Sequence, residues 1–344
     1  GGAMVIERPS TDTDDEVVTS ARDGVGWIVL NRPRAINALT TGMIEQIDAA
    51  LDRWEHDGSV RVIVLAGAGE RGLCAGGDVV AVRAAGLAGD PDAGRFFETE
   101  YAVDLRLATS PVPVVAVMDG VVMGGGLGLS AFAAHRVVTE RSRLAMPETI
   151  IGFFPDVGMT YLLARAPGEL GTHVALTGAT FGGAAAIALG LADVLVDSTA
   201  LDAEVGAAVE AFLAGELPEG DRPDAPLQEE RGWIDRCYAG DDVVEIVRRL
   251  EEAPEPGAAA ALEAIRARSP LAVAVTLEAL RQAGRAESLA EVFDRDRVVA
   301  RNSIEHAEVA EGVRAQLVDK DRSPRWRHAR VEDVTRAEVE AFFA

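Results

Sequence analysis

The residues best suited to chemistry lie in the stretch 114–156, which begins with a β-branched strand and a dense run of glycines. Residues 124–128 read Gly-Gly-Gly-Leu-Gly, and an apolar segment continues from them to residue 134. This order predicts a strand, a glycine turn and a helix. Glycines at such a turn let the backbone approach a ligand closely, and the first N–H groups of the helix point toward bound negative charge. The turn therefore suits a phosphate or an oxyanion.

A second glycine turn has the same layout. Residues 75–78, Ala-Gly-Gly-Asp, follow a buried strand predicted over 60–66 and precede a helix predicted over 79–85. Two such turns supply what a thioester carbonyl needs when it becomes an enolate or a tetrahedral oxyanion, and losing one donor typically costs ~10²–10³ in rate. Gly77 and Gly125 are the candidate donors. The alternative is that both glycine clusters only let helices pack closely against strands.

Three better-known glycine motifs do not fit. A dinucleotide fingerprint would need glycine where Leu129 stands, and a phosphate-binding P-loop needs a Gly-Lys-Ser/Thr ending that the chain lacks. The nucleophile-elbow pattern Gly-x-Ser-x-Gly fails at Phe132, so we expect Ser130 to be a structural hydroxyl. The motifs thus exclude nucleotide binding of these two kinds.

Two carboxylates follow the glycine run. Glu148 has apolar neighbours on both sides, so partial desolvation should raise its pKa and suit it to act as a base or nucleophile. Asp156 follows a Phe-Phe-Pro sequence. Each has a structural alternative, because a glutamate often occupies the first turn of a helix after proline and an aspartate often caps the next helix. Their joint position after an oxyanion-type turn favours a functional pair.

Composition limits the remaining functions. The chain has 344 residues, 48% of them hydrophobic, and a net charge of −23 with no basic cluster, which excludes nucleic acid and anionic membranes as partners. No apolar run approaches the ~20 residues of a membrane span and no signal-peptide pattern is present, so we expect a cytoplasmic protein. Cys74 and Cys237 lack CxxC spacing, and the five histidines lack ligand spacing, which predicts no disulfide and no metal site.

Hydrophobic periodicity predicts an α/β protein with a helical C-terminal region. Strands over 17–21 and 25–30 form a hairpin, and β-turn-α units with glycine-rich turns follow. Helical patterns dominate the tail, for example over 289–304. The predicted division is a disordered N-terminus over 1–16, an α/β core over 17–215, a linker over 216–228 and a helical subdomain over 229–344.

Together these motifs resemble the crotonase (enoyl-CoA hydratase/isomerase) superfamily over residues 25–343. A C-terminal motif, Glu311-Gly312-Val313-Arg314-Ala315 with Ser323-Pro324-Arg325-Trp326, is similar to that of the branch that hydrolyses 3-hydroxyisobutyryl-CoA in valine catabolism. The other specific motifs are Leu30-Asn31-Arg32-Pro33 with Ile36-Asn37-Ala38-Leu39, Cys74-Ala75-Gly76-Gly77-Asp78, Met123-Gly124-Gly125-Gly126-Leu127-Gly128-Leu129-Ser130, Met146-Pro147-Glu148-Thr149 and Phe154-Pro155-Asp156-Val157-Gly158.

The resemblance implies a spiral of ββα units, an acyl-CoA substrate and no separate cofactor, since coenzyme A is part of the substrate. It implies that the N–H groups of Gly77 and Gly125 form the oxyanion hole and that Glu148 and Asp156 are catalytic. In the hydrolase branch the glutamate attacks the thioester to give a mixed anhydride, although a general-base role is also open. The superfamily usually forms trimers or hexamers. The further substrate-binding residues implied are Gly76, Asp78, Glu100 and Gly124, with Arg32 and Arg34 as candidates for the CoA phosphates.

One departure favours hydrolysis over hydration. Hydratases of the superfamily carry a second glutamate just after the glycine run, where this chain has Gly128. Without that acid, addition of water across a double bond lacks one of its two carboxylates. Enoyl-CoA hydratase or isomerase activity remains an alternative, and a CoA-thioester-binding protein without turnover is a more distant one.

Overall fold

In the computed structural model, the described residues are 6–220 and 226–344. None of the helices within these residues has the length and apolar character needed to cross a lipid bilayer. Short 3₁₀ helices lie at Pro33–Ala35, Glu148–Ile151, Ser198–Ala200 and Val331–Asp333, and a π-helical turn lies at Arg314–Val318.

Strands and helices are mixed up to residue 213, and the described residues after it contain helices and no strand. The strands are β1 (Val17–Arg22), β2 (Val25–Leu30), β3 (Val62–Gly67), β4 (Gly72–Cys74), β5 (Val114–Met118), β6 (Val121–Met123), β7 (His135–Thr139), β8 (Arg143–Ala145) and β9 (Val194–Val196). The first eight helices are α1 (Thr41–Asp57), α2 (Val79–Leu87), α3 (Arg95–Ala108), α4 (Gly125–Ser130), α5 (Met159–Ala164), α6 (Leu170–Thr177), α7 (Gly183–Ala188) and α8 (Leu201–Leu213). The others are α9 (Pro226–Glu229), α10 (Arg231–Cys237), α11 (Val243–Glu252), α12 (Pro256–Arg266), α13 (Pro270–Arg285), α14 (Leu289–Ile304), α15 (Ala307–Val313) and α16 (Arg336–Ala341).

The described residues pack as two compact units. One unit contains residues 6–77, 102–144 and 181–220, and the other contains residues 78–101, 145–180 and 226–344. This division differs from the predicted one, because segments 78–101 and 145–180 group with the C-terminal helices rather than with the α/β core. Periodicity along the chain shows which segments are helices, but it does not show which helices share a core.

The first unit is built on a six-stranded sheet with the order β1-β2-β3-β5-β7-β9. The hairpin of β1 and β2 is antiparallel as predicted, while β2, β3, β5, β7 and β9 run parallel. Every residue of β2 and β5 is buried, as expected for parallel strands covered on both faces. Val205, Ala208 and Val209 of α8 join the apolar core beside this sheet.

A second, three-stranded sheet has the order β4-β6-β8 and carries both glycine turns. Strand β4 is parallel to β6, so their carboxyl ends lie at the same edge. Asn37 holds the start of this sheet in place. It is fully buried with a φ of 57°, and its side-chain nitrogen donates to the carbonyls of Ala68, Gly72 and Leu73, each at 3.1 Å.

The second unit is mainly helical. Helix α13 packs against α5 and α6, and α15 packs against α2 and the 3₁₀ helix Glu148–Ile151. Helix α14 matches the predicted range 289–304, with the side chain of Ser288 accepting a hydrogen bond from the Glu291 N–H as its N-cap. The predicted α/β architecture with a helical C-terminal region is therefore confirmed.

The predicted disordered N-terminus over 1–16 and the predicted linker over 216–228 differ in part from the structure. Residues 1–5 of the predicted disordered N-terminus and residues 221–225 of the predicted linker lie outside the described residues. Residues 6–16 follow a defined path, since the side-chain nitrogen of Asn31 donates to the carbonyls of Thr11, Thr13 and Asp15 at 2.8–3.3 Å. Helix α9 begins inside the predicted linker.

Candidate active site

The two glycine turns lie side by side at the edge of the three-stranded sheet. A Cβ atom on Gly76, whose φ is 112°, would lie 3.2 Å from the carbonyl oxygen of Met123 and 3.7 Å from the backbone nitrogen of Gly125. Gly125 is the first residue of α4, a position whose N–H has no partner within its own helix. The two turns thus approach each other at Gly76 and Gly125, while the pairing of Gly77 with Gly125 as oxyanion donors stays a prediction.

Individual glycines in these turns have different roles. Gly124 adopts a φ of 53° as the N-cap of α4, which favours glycine. A Cβ on Gly126 would lie 2.5 Å from the carbonyl oxygen of Cys74, so the packing interpretation is correct at that position. Gly77 pairs with Leu39 in a parallel bridge, and the Leu39 N–H donates to the Gly76 carbonyl at 2.8 Å. This contact links the Asn37-Ala38-Leu39 motif to the turn.

Asp78, predicted to contact substrate, caps a helix. Its side chain accepts a hydrogen bond from the Ala81 N–H at 3.2 Å, at the start of α2. Arg32, a candidate for the CoA phosphates, lies 2.9 Å from the carboxylate of Glu16 and donates to the carbonyl of Ala38. Ser130 donates to the Gly126 carbonyl at 2.6 Å, which confirms its prediction as a structural hydroxyl.

Glu148 is the first residue of the 3₁₀ helix Glu148–Ile151, with Pro147 as the N-cap. It therefore occupies the first turn after a proline, as the structural alternative predicted, yet its side chain is buried. Its Oε1 atom has no hydrogen-bond partner among the residues that the structure describes. Burial, together with the neighbouring charge of Asp156, raises the pKa of Glu148 well above its ordinary value.

Asp156 is buried beside Tyr101 of α3. The Tyr101 hydroxyl donates to Asp156 Oδ2 at 2.6 Å. Burial raises the pKa of Asp156 to about 7, while this hydrogen bond partly offsets the effect by stabilising the carboxylate. The alternative that Asp156 caps the next helix is not what the structure shows, because the N-cap of α5 is Gly158.

A cluster of aromatic rings packs beside these acids and helps to exclude water from their carboxyl groups. Phe153, between the two acids in sequence, lies 4.7 Å from the Phe154 ring and 5.4 Å from the Phe97 ring, measured between centroids. The Phe97 and Tyr101 rings are 5.9 Å apart. Glu100 is also buried on α3, and its charge contributes to raising the pKa of Tyr101. A carboxylate in such surroundings is a stronger base and nucleophile than one in water.

Sequence reasoning missed two members of this cluster, Tyr101 and Asp296. Tyr101 is fully buried on α3, and its hydroxyl was the signal in the sequence, because a buried tyrosine usually needs a polar partner. Asp296 of α14 is buried and accepts a hydrogen bond from the Gly158 N–H at 2.8 Å. Its signal was an acid within the apolar stripe of that helix, whose buried members are Val292, Phe293, Asp296, Val299, Ala300 and Ser303.

Within residues 6–220 and 226–344, no group of three or more histidine, cysteine or acidic side chains could hold a metal ion. Cys74 and Cys237 are both buried, and neither forms a disulfide in the part of the chain described.

The sequence model of the enoyl-CoA hydratase/isomerase family matches residues 25–343. The mitochondrial 3-hydroxyisobutyryl-CoA hydrolase of Gallus gallus is 37% identical over 339 residues, which are 94% of this chain and 88% of that protein. The chain is also similar to the crystal structure of a carnitinyl-CoA dehydratase from Mycobacterium thermoresistibile, with 46% sequence identity and a TM-score of 0.90. The match covers 96% of this chain and 97% of the dehydratase chain.

A crystal structure of an enoyl-CoA hydratase from Rhodobacter sphaeroides 2.4.1 is 42% identical, also with a TM-score of 0.90, and covers 96% of this chain and 97% of its own. The family match, the relatives and the fold agree over nearly the whole chain. This chain therefore belongs to the enoyl-CoA hydratase/isomerase family of enzymes and has a crotonase-type α/β fold with a helical C-terminal region.

Proposed function

We propose that this enzyme hydrolyses the thioester of a short branched 3-hydroxyacyl-CoA, with 3-hydroxyisobutyryl-CoA as the substrate to test first. The observation that carries the proposal is the buried Glu148 carboxylate, whose Oε1 has no partner among the described residues and which lies within electrostatic reach of Asp156. Glycine at position 128 removes the second glutamate of a hydratase. The printed name of the Gallus gallus relative supports the same substrate.

In the proposed reaction, the N–H groups of Gly77 and Gly125 stabilise negative charge on the thioester oxygen. A carboxylate oxygen of Glu148 adds to the carbonyl carbon, the carbon–sulfur bond breaks, and CoA leaves as a thiolate that water protonates. Water then adds to the resulting anhydride, releasing the hydroxy acid and restoring the Glu148 carboxylate. Asp156 holds the 3-hydroxyl group or the attacking water.

A second role for Glu148 is general base, in which it takes a proton from water that attacks the thioester directly. The two routes differ in whether an acyl group is ever attached to the protein. Borohydride reduction during turnover would convert an anhydride on Glu148 to an alcohol, which mass spectrometry of the peptide containing residue 148 detects. An unmodified peptide under steady turnover supports the general-base route.

The test of the function is release of free thiol from 3-hydroxyisobutyryl-CoA. We expect Glu148→Gln to lower the rate by ~10²–10⁴-fold while acyl-CoA binding persists, because the amide can neither attack nor accept the proton. Glu98→Gln is the matched control, since Glu98 is an exposed residue of α3 paired with Arg297 at 3.5 Å. Unchanged turnover in Glu148→Gln contradicts the assignment.

Hydratase or isomerase activity is the second candidate, and the printed names of the two crystal structures favour it. Crotonyl-CoA separates the candidates, because hydration removes its conjugated double bond without releasing thiol. Rapid thiol release from the hydroxyacyl substrate with no change in crotonyl-CoA supports hydrolysis. Binding of either thioester without turnover would instead support the non-catalytic alternative.

The expectations of a trimeric or hexameric assembly and of a cytoplasmic location stay predictions. The Gallus gallus relative carries the word mitochondrial in its name. Sedimentation of the purified chain would test the assembly.

A further inference from the structure

Helix α14 supplies an acid to the turn that follows Asp156. Asp296 has only 2% of its surface exposed, and its Oδ2 accepts a hydrogen bond from the Gly158 N–H at 2.8 Å. Gly158 is the N-cap of α5 and lies two residues after Asp156, with a φ of 75°. The Met159 N–H donates to the Asp156 carbonyl at 3.0 Å and closes the turn. The position of the Asp156 backbone therefore depends on a contact with α14.

A second contact from the same helix fixes this turn sterically. Phe293 lies one helical turn before Asp296, and a Cβ on Gly158 would lie 2.6 Å from its ring. The same ring lies 6.1 Å from the ring of Tyr101, the residue that donates to Asp156. Helix α14 thus contacts the turn after Asp156 through Phe293 and Asp296. The Phe293 ring also lies near Tyr101, which donates a hydrogen bond to Asp156.

Asp296 also interacts electrostatically with the carboxylate of Asp156. Burial and the charge of Asp156 raise the pKa of Asp296 well above its ordinary value. The charge of Asp296 in turn contributes to raising the pKa of Tyr101. An ionised Asp156 therefore opposes the ionisation of Asp296. Asp156 acts in the same way on Glu148, Glu100 acts on Tyr101, and Arg295 and Arg297 favour the ionised form of Asp296.

We propose that Asp296 is a positioning residue for the reaction. It holds the turn that carries Asp156 by accepting a hydrogen bond from the Gly158 N–H. The catalytic part of this inference rests on the proposed hydrolysis, whereas the contact and the electrostatic coupling are properties of the free protein.

The kinetic test compares two substitutions of Asp296 in the full chain. Asp296→Asn keeps an oxygen that accepts from the Gly158 N–H, so we expect kcat to stay within ~3-fold of the wild-type value. Asp296→Ala removes the acceptor, so we expect kcat to fall at least ~10-fold with KM little changed. The folded fraction of each variant is measured beside kcat, because a merely structural role would lower kcat only in proportion to the folded fraction.

Asp294→Asn is the matched control, because Asp294 lies on the same helix with its side chain 78% exposed and pairs with Arg297. We expect its kcat to match that of the wild type. If Asp296→Ala does not fold, Asp296→Leu, which fills a similar volume without an acceptor, takes its place. A folded variant without the acceptor that keeps wild-type kcat overturns the proposal, as does a loss in Asp296→Asn as large as that in the variant without the acceptor.

A measurement without substrate separates this inference from the proposed function. Carbon-13 labelling of aspartate allows the carboxyl signal of Asp296, assigned by its loss in Asp296→Asn, to be titrated by NMR. We expect its midpoint to lie at lower pH in Asp156→Asn than in the wild type, because the charge of Asp156 is removed. Equal midpoints overturn the coupling, whereas a wild-type protein that releases no thiol refutes the proposed hydrolysis and leaves this titration to be judged by itself.

Discussion

Two helical glycines of the same unit should respond in opposite ways to one added methyl group. Gly312 of α15 faces the end of the 3₁₀ helix that begins with Glu148, and a Cβ there would lie 2.1 Å from the carbonyl oxygen of Ile151. Gly284 of α13 faces open space, since the nearest atom to its added Cβ is the Cβ of Ala164 at 3.8 Å. The same Gly→Ala substitution therefore meets a backbone oxygen at position 312 and only an ordinary van der Waals contact at position 284.

The expected magnitudes follow from these distances. A methyl group at Gly312 must move the Ile151 carbonyl from 2.1 Å to at least 3.4 Å, and a backbone oxygen cannot rotate aside as a side chain does. Such overpacking costs about 1–3 kcal/mol, against a helix-propensity gain of about 0.5–1 kcal/mol for replacing glycine by alanine. Gly312→Ala should thus lower the free energy of unfolding by up to about 2.5 kcal/mol, while Gly284→Ala raises it by up to about 1 kcal/mol.

Equilibrium urea denaturation of the full-length variants measures both effects, and thiol release measures the consequence for Glu148. We expect Gly312→Ala to lose activity in the folded protein, because the displaced carbonyl lies in the same short helix as the catalytic candidate. Gly284→Ala should keep wild-type activity. If both variants have the same unfolding free energy and the same rate, the inferred support of the Glu148 helix by α15 is refuted.

Two further perturbations test the buried acid and the anchor of the small sheet. Burial raises the pKa of Asp156 from 3.8 to about 7, so the folded state loses up to about 4 kcal/mol relative to Asp156→Asn as the pH rises from about 4 to about 7. Below about pH 4 the difference in unfolding free energy between the two proteins should become constant. A difference that does not change between about pH 4 and about pH 7 would contradict the burial argument. Asn37→Ala should destabilise the chain by about 2–4 kcal/mol, because three backbone carbonyls lose the side-chain nitrogen that donates to them. Asn37→Asp should cost more, because it places a carboxylate oxygen against those carbonyl oxygens. Chemical denaturation checks both, and an aspartate variant more stable than the alanine variant would count against this account.

Local patterns predicted the elements well where one face of the element is apolar and the ends carry capping residues. The helical spacing of apolar residues from Met43 to Trp54 predicts a helix that follows Thr40 and Thr41 and ends near Gly58. Helix α1 begins after the Thr40 cap, whose side chain accepts from the Met43 N–H, and ends at Gly58 in the left-handed conformation. The β1–β2 hairpin and α14 agree with their predicted ranges for the same reason. Short strands such as β7 and β8 were not singled out, because three to five buried residues carry too little periodicity to be distinguished from a buried turn.

The sequence by itself determined the fold class, the family and the neighbouring glycine turns, because glycine spacing and parallel strand pairing act over a few residues or follow directly from strand order. Only the tertiary structure decided the surroundings of the acids. Tyr101 reaches Asp156 across 55 residues, and Asp296 reaches Gly158 across 138. No local pattern connects positions so far apart, because the hydrogen bonds exist only once separate helices have packed and excluded water from the carboxylates.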